Sequence, residues 1–262
     1  MQFCVLGSGS KGNCTLIESG KTVLLIDAGF SGVEIRRRLE KIGRTPEMVT
    51  AILVTHEHND HISGVGVLSR RCGVPVYANP ATHLAAEGRI GNLSRRLEFA
   101  TGESFTVDGL QIHPFAVSHD TAEPVGFVVS DGSNTVGYCT DTGRVTRLLA
   151  HHLRRCQALI LESNHDPRML RDGPYPLELQ QRVRSNLGHL ANEDAADFLA
   201  ELFNDELRSV VLAHLSQVNN LPELALAATL EKLGARAAHC DIILATQESP
   251  SRVIDLCRPG DA

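Results

Sequence analysis

Tryptophan is absent from this 262-residue chain, and only three tyrosines and eight phenylalanines accompany that gap. Little material is left for a broad apolar ligand pocket. Basic charge is also in short supply: 25 lysines and arginines stand against 31 acidic residues, a formal net charge of −6. A chain sheathed in positive potential, as many nucleic-acid binders are, is therefore excluded. The seven cysteines form no C-x-x-C pair and are odd in number. That argues against a disulfide framework or a thiolate zinc site and suits a reducing cytosol. Cys4, Cys14, Cys139 and Cys240 sit in apolar runs and read as small core residues. No apolar run approaches the roughly 20 residues of a membrane helix, and Phe3-Cys4-Val5-Leu6 follow the start without a basic region or cleavage signal. The expected location is the cytoplasm. Repeats, low-complexity tracts and interdomain linkers are missing too, so one domain over residues 1–262 is expected.

What the chain does have is concentrated in Thr55-His56-Glu57-His58-Asn59-Asp60-His61, directly after the apolar run Ala51-Ile52-Leu53-Val54. Imidazoles packed this densely repel one another once charged unless a cation holds them. In an extended segment leaving a strand, His56 and His58 point the same way, whereas on a helix they would diverge. Asp60 and His61 follow at the turn into a helix expected over residues 62–72, and can face a second point nearby. Three later residues complete a shell. His119 follows the run 110–117, Asp141 follows 134–139, and His214 follows 210–213. Each stands just past the carboxyl end of an apolar stretch, where open α/β folds collect their functional groups. His56, His58, His119 and one oxygen of Asp141 would serve one ion. Asp60, His61, His214 and the other oxygen of Asp141 would serve a second. Nitrogen and carboxylate donors suit zinc, and also manganese or iron.

Short strands are expected over 2–6, 14–18, 22–27 and 51–55, with a helix opened by Ser31 and Glu34 at capping-box spacing and ended by Gly43. The triplet Arg36-Arg37-Arg38 on that helix reads as a solvated face. A short helix over 80–88 precedes strands within 97–139 that turn at Asp108-Gly109 and Asp131-Gly132. Helix then alternates with strand: helices over 146–155, 176–187, 192–203 and 222–233, strands over 158–162 and 209–213, and two short strands near Ile242 and Val253. Asn192 is the expected cap of its helix.

The H-x-H-x-D-H stretch, His119, Thr140-Asp141-Thr142 and His214 together resemble the metallo-β-lactamase fold hydrolases. The resemblance covers nearly the whole chain. It implies an α/β class, four-layer αβ/βα sandwich: two mixed β-sheets face to face, helices outside, and two divalent ions at one sheet edge. It also matches Asp27, in Leu24-Leu25-Ile26-Asp27-Ala28-Gly29, to the aspartate that supports the histidine loop. Oxygen-reducing diiron members carry glutamate where this chain has His58, which disfavours a redox role. Gly188-His189-Leu190 ahead of a helix, with His214 after a strand, is similar to the phosphodiesterase branch that includes the tRNA 3′-processing enzymes. There the first histidine donates a proton and the second binds metal, and the departing alkoxide of a phosphodiester needs such a proton. Asp60 and His189 are the catalytic candidates on that basis.

A closer match runs through Leu6 to Asn13, Leu161-Glu162-Ser163-Asn164-His165-Asp166, Tyr175-Pro176, Gly188-His189-Leu190 and His214 to Asn220. Over these the chain resembles the YycJ/WalJ group of bacterial metallohydrolases, departing at Ala191 where serine is expected. The resemblance implies a DNA exonuclease acting from the 5′ end, with links to repair. Nucleic acid, DNA before RNA, is then the expected partner, with no membrane, and phosphate contacts must come from a local cluster such as Lys11, Arg168, Arg171, Arg182 or Arg184. Asn164, His165 and Asp166 are candidate substrate contacts. Too few residues separate Asp166 from Gly188 for a β-CASP module, and no Gly/Pro-rich tRNA-clamping arm is present. The alternative from another class is a small-molecule ester or thioester hydrolase, glyoxalase II-like or a lactonase, which would share the metal shell but needs an apolar pocket. A non-catalytic binding module is disfavoured by the complete ligand set.

Overall fold

The computed structural model describes residues 1–257. Its first half supplies strands β1 (Gln2–Gly7), β2 (Cys14–Ser19), β3 (Thr22–Ile26), β4 (Ala51–Leu53), β5 (Pro75–Ala78) and β6 (Arg95–Glu98). Helices α1 (Gly32–Lys41), α2 (Asn59–Ile62), α3 (Val65–Cys72) and α4 (Pro80–Ile90) connect them. The second half adds β7 (Phe105–Val107), β8 (Leu110–Ala116), β9 (Val125–Ser130), β10 (Thr135–Cys139), β11 (Ala158–Glu162), β12 (Ser209–Ala213) and β13 (Asp241–Leu244). Its helices are α5 (Arg147–Leu153), α6 (Pro167–Asp172), α7 (Leu177–Val183), α8 (Asn192–Leu202) and α9 (Pro222–Leu233), and β14 (Ile254–Asp255) closes the order.

Two seven-stranded sheets result, ordered β14-β1-β2-β3-β4-β5-β6 and β13-β12-β11-β10-β9-β8-β7. Both are mixed in the same way. Antiparallel pairs β1-β2-β3 give way to the parallel run β3-β4-β5-β6. Likewise β7-β8-β9-β10 is antiparallel and β10-β11-β12-β13 parallel. Strands such as β3, β4, β11 and β12 are buried at every position, because each face meets its own apolar layer. Phe3, Ile17, Leu24, Phe127, Ile160 and Val211 fill the space between the sheets. Ile35, Leu39, Leu68 and Ala86 cover the outer face of the first sheet, and Leu149, Leu153, Phe198 and Leu202 that of the second. The layering is thus helix, sheet, sheet, helix, as expected.

Local departures have identifiable causes. The helix expected over 62–72 breaks at Ser63-Gly64, where a Cβ on Gly64 would fall 2.3 Å from the Phe30 carbonyl oxygen. A further helix, α6, forms because Asp166 accepts from the Arg168 and Met169 amides and Pro167 starts the turn. Asn192 does not cap α8: Ala191 holds that position, and the Asn192 side chain turns inward to Ser163 and Asn220. Arg38 is not on a solvated face either. It is 4 % exposed, donates to the Leu6 and Gln247 carbonyls, and stacks on Phe30.

Candidate metal centre

The carboxyl ends of β3, β4, β10, β11 and β12 converge at one edge of the sandwich, and their next residues carry the candidate donors. Asp27, Asp141 and His214 all take left-handed backbone there, at φ 60°, 57° and 55°. Such a conformation costs a non-glycine residue on the order of 1–3 kcal/mol, so the surroundings must hold it. In return the chain turns sharply off each strand and lays the side chain across the sheet edge.

Of four overlapping donor groups, two match the expected pair of shells, and a third joins Glu162 and His189 to Asp141 and His214. His56, His58 and His119 can bring one nitrogen each within 4.8 Å of the others, and Asp60, His61 and His214 form a second such group. Asp141 lies between them, with Oδ2 3.4 Å from His61 Nε2 and Oδ1 3.8 Å from His119 Nε2. His58 Nδ1 stands 3.3 Å from His119 Nε2, the spacing of two nitrogens each about 2.0–2.1 Å from one tetrahedral ion. His56 Nε2, His214 Nε2 and Asp141 Oδ2 are buried without a hydrogen-bond partner. Orphaned atoms of this kind are costly unless something else satisfies them. Three of them, shared between the two donor groups, fit divalent cations.

Charge tells the same story. Asp27, Asp141 and Glu162 are buried and Asp60 partly so, with no lysine or arginine paired to any of them. Burial works against a charged imidazole, yet Asp141, Asp27 and Asp60 outweigh it and push His61 well above its ordinary value. The same balance, through Asp141, Asp60 and Glu162, pushes His214 up to about 10. The site demands positive charge, which protons or metal ions can supply. His56 and His58 behave oppositely: burial, and then neighbouring imidazoles, push both down, leaving neutral rings with lone pairs to offer.

The outer ring atoms are held in turn. Asp27 Oδ2 receives His61 Nδ1 at 2.7 Å and the Thr55 hydroxyl at 2.8 Å, while Oδ1 accepts the Thr55 amide. His119 Nδ1 lies 3.2 Å from the Gly188 carbonyl. Glu162 is 0 % exposed, and its role is not visible in the sequence reading. Its Oε1 takes both His189 Nδ1 at 2.7 Å and His214 Nδ1 at 3.0 Å, and Oε2 accepts the Thr142 and Leu190 amides. One carboxylate therefore fixes the tautomer of a candidate ligand and of the candidate acid, leaving Nε2 of each free to act. Asn13, also unflagged, donates to Asp60 Oδ2 at 3.2 Å. Glu162→Gln is expected to weaken metal binding and turnover by about 10–100-fold, read by metal titration beside steady-state rates. Wild-type values in both would remove Glu162 from the site.

A cavity of about 270 Å³ opens over these groups, with His58, Asp60, His119, Asp141, His189 and His214 on one side. Tyr175, Leu179, Arg182 and Val183 form the opposite wall, and Arg182 Nε holds Asp120 Oδ2 at 2.6 Å. His56 and His61 lie beneath the floor, fully enclosed. Of the three expected substrate contacts, Asn164 reaches the cavity while donating to the His214 carbonyl at 2.9 Å. His165 and Asp166 do not line it. His165 is 3 % exposed, and burial lowers its ring to about 4; Asp166 caps α6. Cys139 is the nearest thiol in sequence to the candidate donors, and burial pushes it up, away from the thiolate form.

Comparison with known proteins agrees with this geometry. Residues 22–215 match the beta-lactamase superfamily domain. The chain is 40 % identical over 227 residues to exodeoxyribonuclease YycJ of Bacillus anthracis, covering 86 % of each. It is 39 % identical over 229 residues to exodeoxyribonuclease WalJ of Streptococcus pneumoniae, covering 86 % of this chain and 85 % of the other. Among solved structures, the metallo-beta-lactamase fold protein YhfI of Bacillus subtilis superposes with a TM-score of 0.76 at 18 % identity, over 97 % of this chain and 99 % of that one.

Proposed function

Because the chain belongs to the beta-lactamase superfamily, within its YycJ/WalJ group, we propose that it is a single-domain, metal-dependent phosphodiesterase that degrades DNA from the 5′ end. The observation that carries the phosphodiester reading is the sharing of Glu162 by His189 and His214 at the edge of the candidate metal donors. His56, His58 and His119 would hold one divalent ion, zinc or manganese or iron, Asp60, His61 and His214 would hold a second, and Asp141 would be available to both. When bound, they supply an activated water and a counter-charge for the phosphoryl oxygens.

The chain's own groups do the rest. His189 keeps Nδ1 on Glu162, and that carboxylate fixes the orientation of the ring. As the P–O bond breaks, the Nε2 proton of His189 passes to the departing oxygen, so no free alkoxide leaves. Arg182, tethered by Asp120, offers a guanidinium to the phosphate beside the cavity. Leu179 and Val183, four apart on α7, and Tyr175 just before that helix line the cavity and give a nucleobase apolar contact.

We place the enzyme in the cytoplasm and in DNA repair. All seven cysteines are free, and no helix among the described residues is long and apolar enough to cross a membrane. Protein reconstituted with zinc or manganese should hydrolyse bis-p-nitrophenyl phosphate and leave a chromogenic thioester untouched. Robust thioester cleavage without phosphodiester cleavage under any of zinc, manganese or iron would overturn the reading in favour of an acyl hydrolase.

A further inference from the structure

Positions 142–161, between Asp141 and Glu162, contain no aspartate or glutamate and carry Arg144, Arg147, Arg154, Arg155, His151 and His152. In a chain of net charge −6 this is a local reversal of sign, and it begins next to the candidate bridging carboxylate. The fold puts the charges outside. Leu149 and Leu153 anchor α5 on the sheet, while Arg147 and His151 stand on its exposed face and Arg154 and Arg155 are exposed just past its end.

One segment of chain, residues 182–190, links this surface to the cavity. Arg182, Val183, Gly188 and His189 face the candidate metal site. Arg184, Asn186 and Leu190 of the same segment line an adjoining groove of about 440 Å³ with Gly143 and Arg144. Gly143 lets the two segments touch: a Cβ there would fall 2.4 Å from the Ser185 carbonyl oxygen. Glu201 is common to that groove and to the next, of about 630 Å³, whose other charged walls are Arg147, His151, Arg154 and Arg155.

The guanidiniums are mostly uncommitted. Arg154 pairs with Glu201 at 3.5 Å, with both ends more than half exposed, and Arg144 binds the Ser118 hydroxyl. Among the described residues, Arg147, Arg155 and Arg184 have no carboxylate within 4.0 Å. The carboxylates lining the 440 Å³ groove come from α8: Asp197 is paired with Lys232 and Glu201 with Arg154, while Asp194 has no basic partner among the described residues.

We propose that the Arg144–Arg155 segment, with Arg184, is a phosphate track that carries the DNA strand away from the metal cavity. Charge complementarity selects a polyanion, and continuity with a cavity read as a phosphodiesterase site selects the substrate strand itself. Exposed pairs of this kind are weak one at a time, so the effect grows with the length of DNA engaged. The inference rests on the proposed function, and its test separates the two.

The metal-loaded double variant Arg147→Glu/Arg155→Glu is compared with wild type on a 20-nucleotide strand, a dinucleotide and bis-p-nitrophenyl phosphate. KM for the strand should rise about tenfold or more with kcat within twofold, while the two small substrates keep their wild-type constants, which also reports an intact fold. The dependence of log KM on log salt should become shallower by about 1.4, for two lost single-strand contacts at about 0.7 each. Arg147→Lys/Arg155→Lys should restore most of both effects. An unchanged KM and salt slope on the strand, with DNA still degraded, would overturn the track alone and leave an acidic protein as the occupant of the groove. Failure of the wild type on all three substrates would instead remove the phosphodiesterase reading.

Discussion

Asp141→Ala protein is expected to come off purification without stoichiometric divalent metal and with nuclease activity reduced on the order of 1000-fold or more. Loss of one preorganised electrostatic contact costs about 10²–10³ in rate, and Asp141 stands against both donor groups. Its Oδ2 has no partner within the protein, so the residue makes sense there only as part of a charged assembly. Alanine also fits the φ of 57° poorly, and Asp141→Asn supplies the control, because asparagine tolerates left-handed backbone while removing the anion. His214→Ala should weaken mainly one ion. Metal analysis with thermal melting decides the matter: Asp141→Asn that keeps two ions and activity within tenfold of wild type contradicts a bridging role.

His189→Ala should separate catalysis from binding. Its Nδ1 is hydrogen-bonded to Glu162 and its ring is outside the two expected shells, so metal content and melting temperature should hold while turnover on DNA falls by about 10²–10⁴. A leaving group that needs no proton, as in bis-p-nitrophenyl phosphate, should lose far less. Equal losses on the two substrates would mean that His189 positions phosphate instead of delivering a proton.

The metal donors were legible because the sequence groups them in two recognisable ways. His56, His58, Asp60 and His61 fall within one loop, and His119, Asp141 and His214 each follow an apolar strand. Glu162 carries the same strand-end signal, but nothing local marks its two partners, 27 and 52 positions further on. The parallel register of β11 with β12 brings His214 to it, and the bridge between His165 and Ala191 brings His189. Asn164, His165 and Asp166 were grouped by adjacency, whereas successive side chains leaving a strand diverge, and of the three only Asn164 reaches the cavity. Arginines misled for a related reason. The consecutive triplet on α1 draws the eye, yet Arg38 is a buried strut. The exposed set from Arg147 to Arg155 is spread through leucines, and which of its guanidiniums lack a carboxylate partner shows only when the surface is assembled.

The most direct test is the fate of the terminal label when a 5′-labelled DNA strand is incubated with metal-reconstituted protein. Labelled mononucleotide should appear as the first product, dependent on zinc or manganese, suppressed by a chelator and abolished by His58→Ala. Persistence of the full-length label under every metal, or its release by the His58→Ala protein at the wild-type rate, would contradict a metal-dependent 5′ exonuclease.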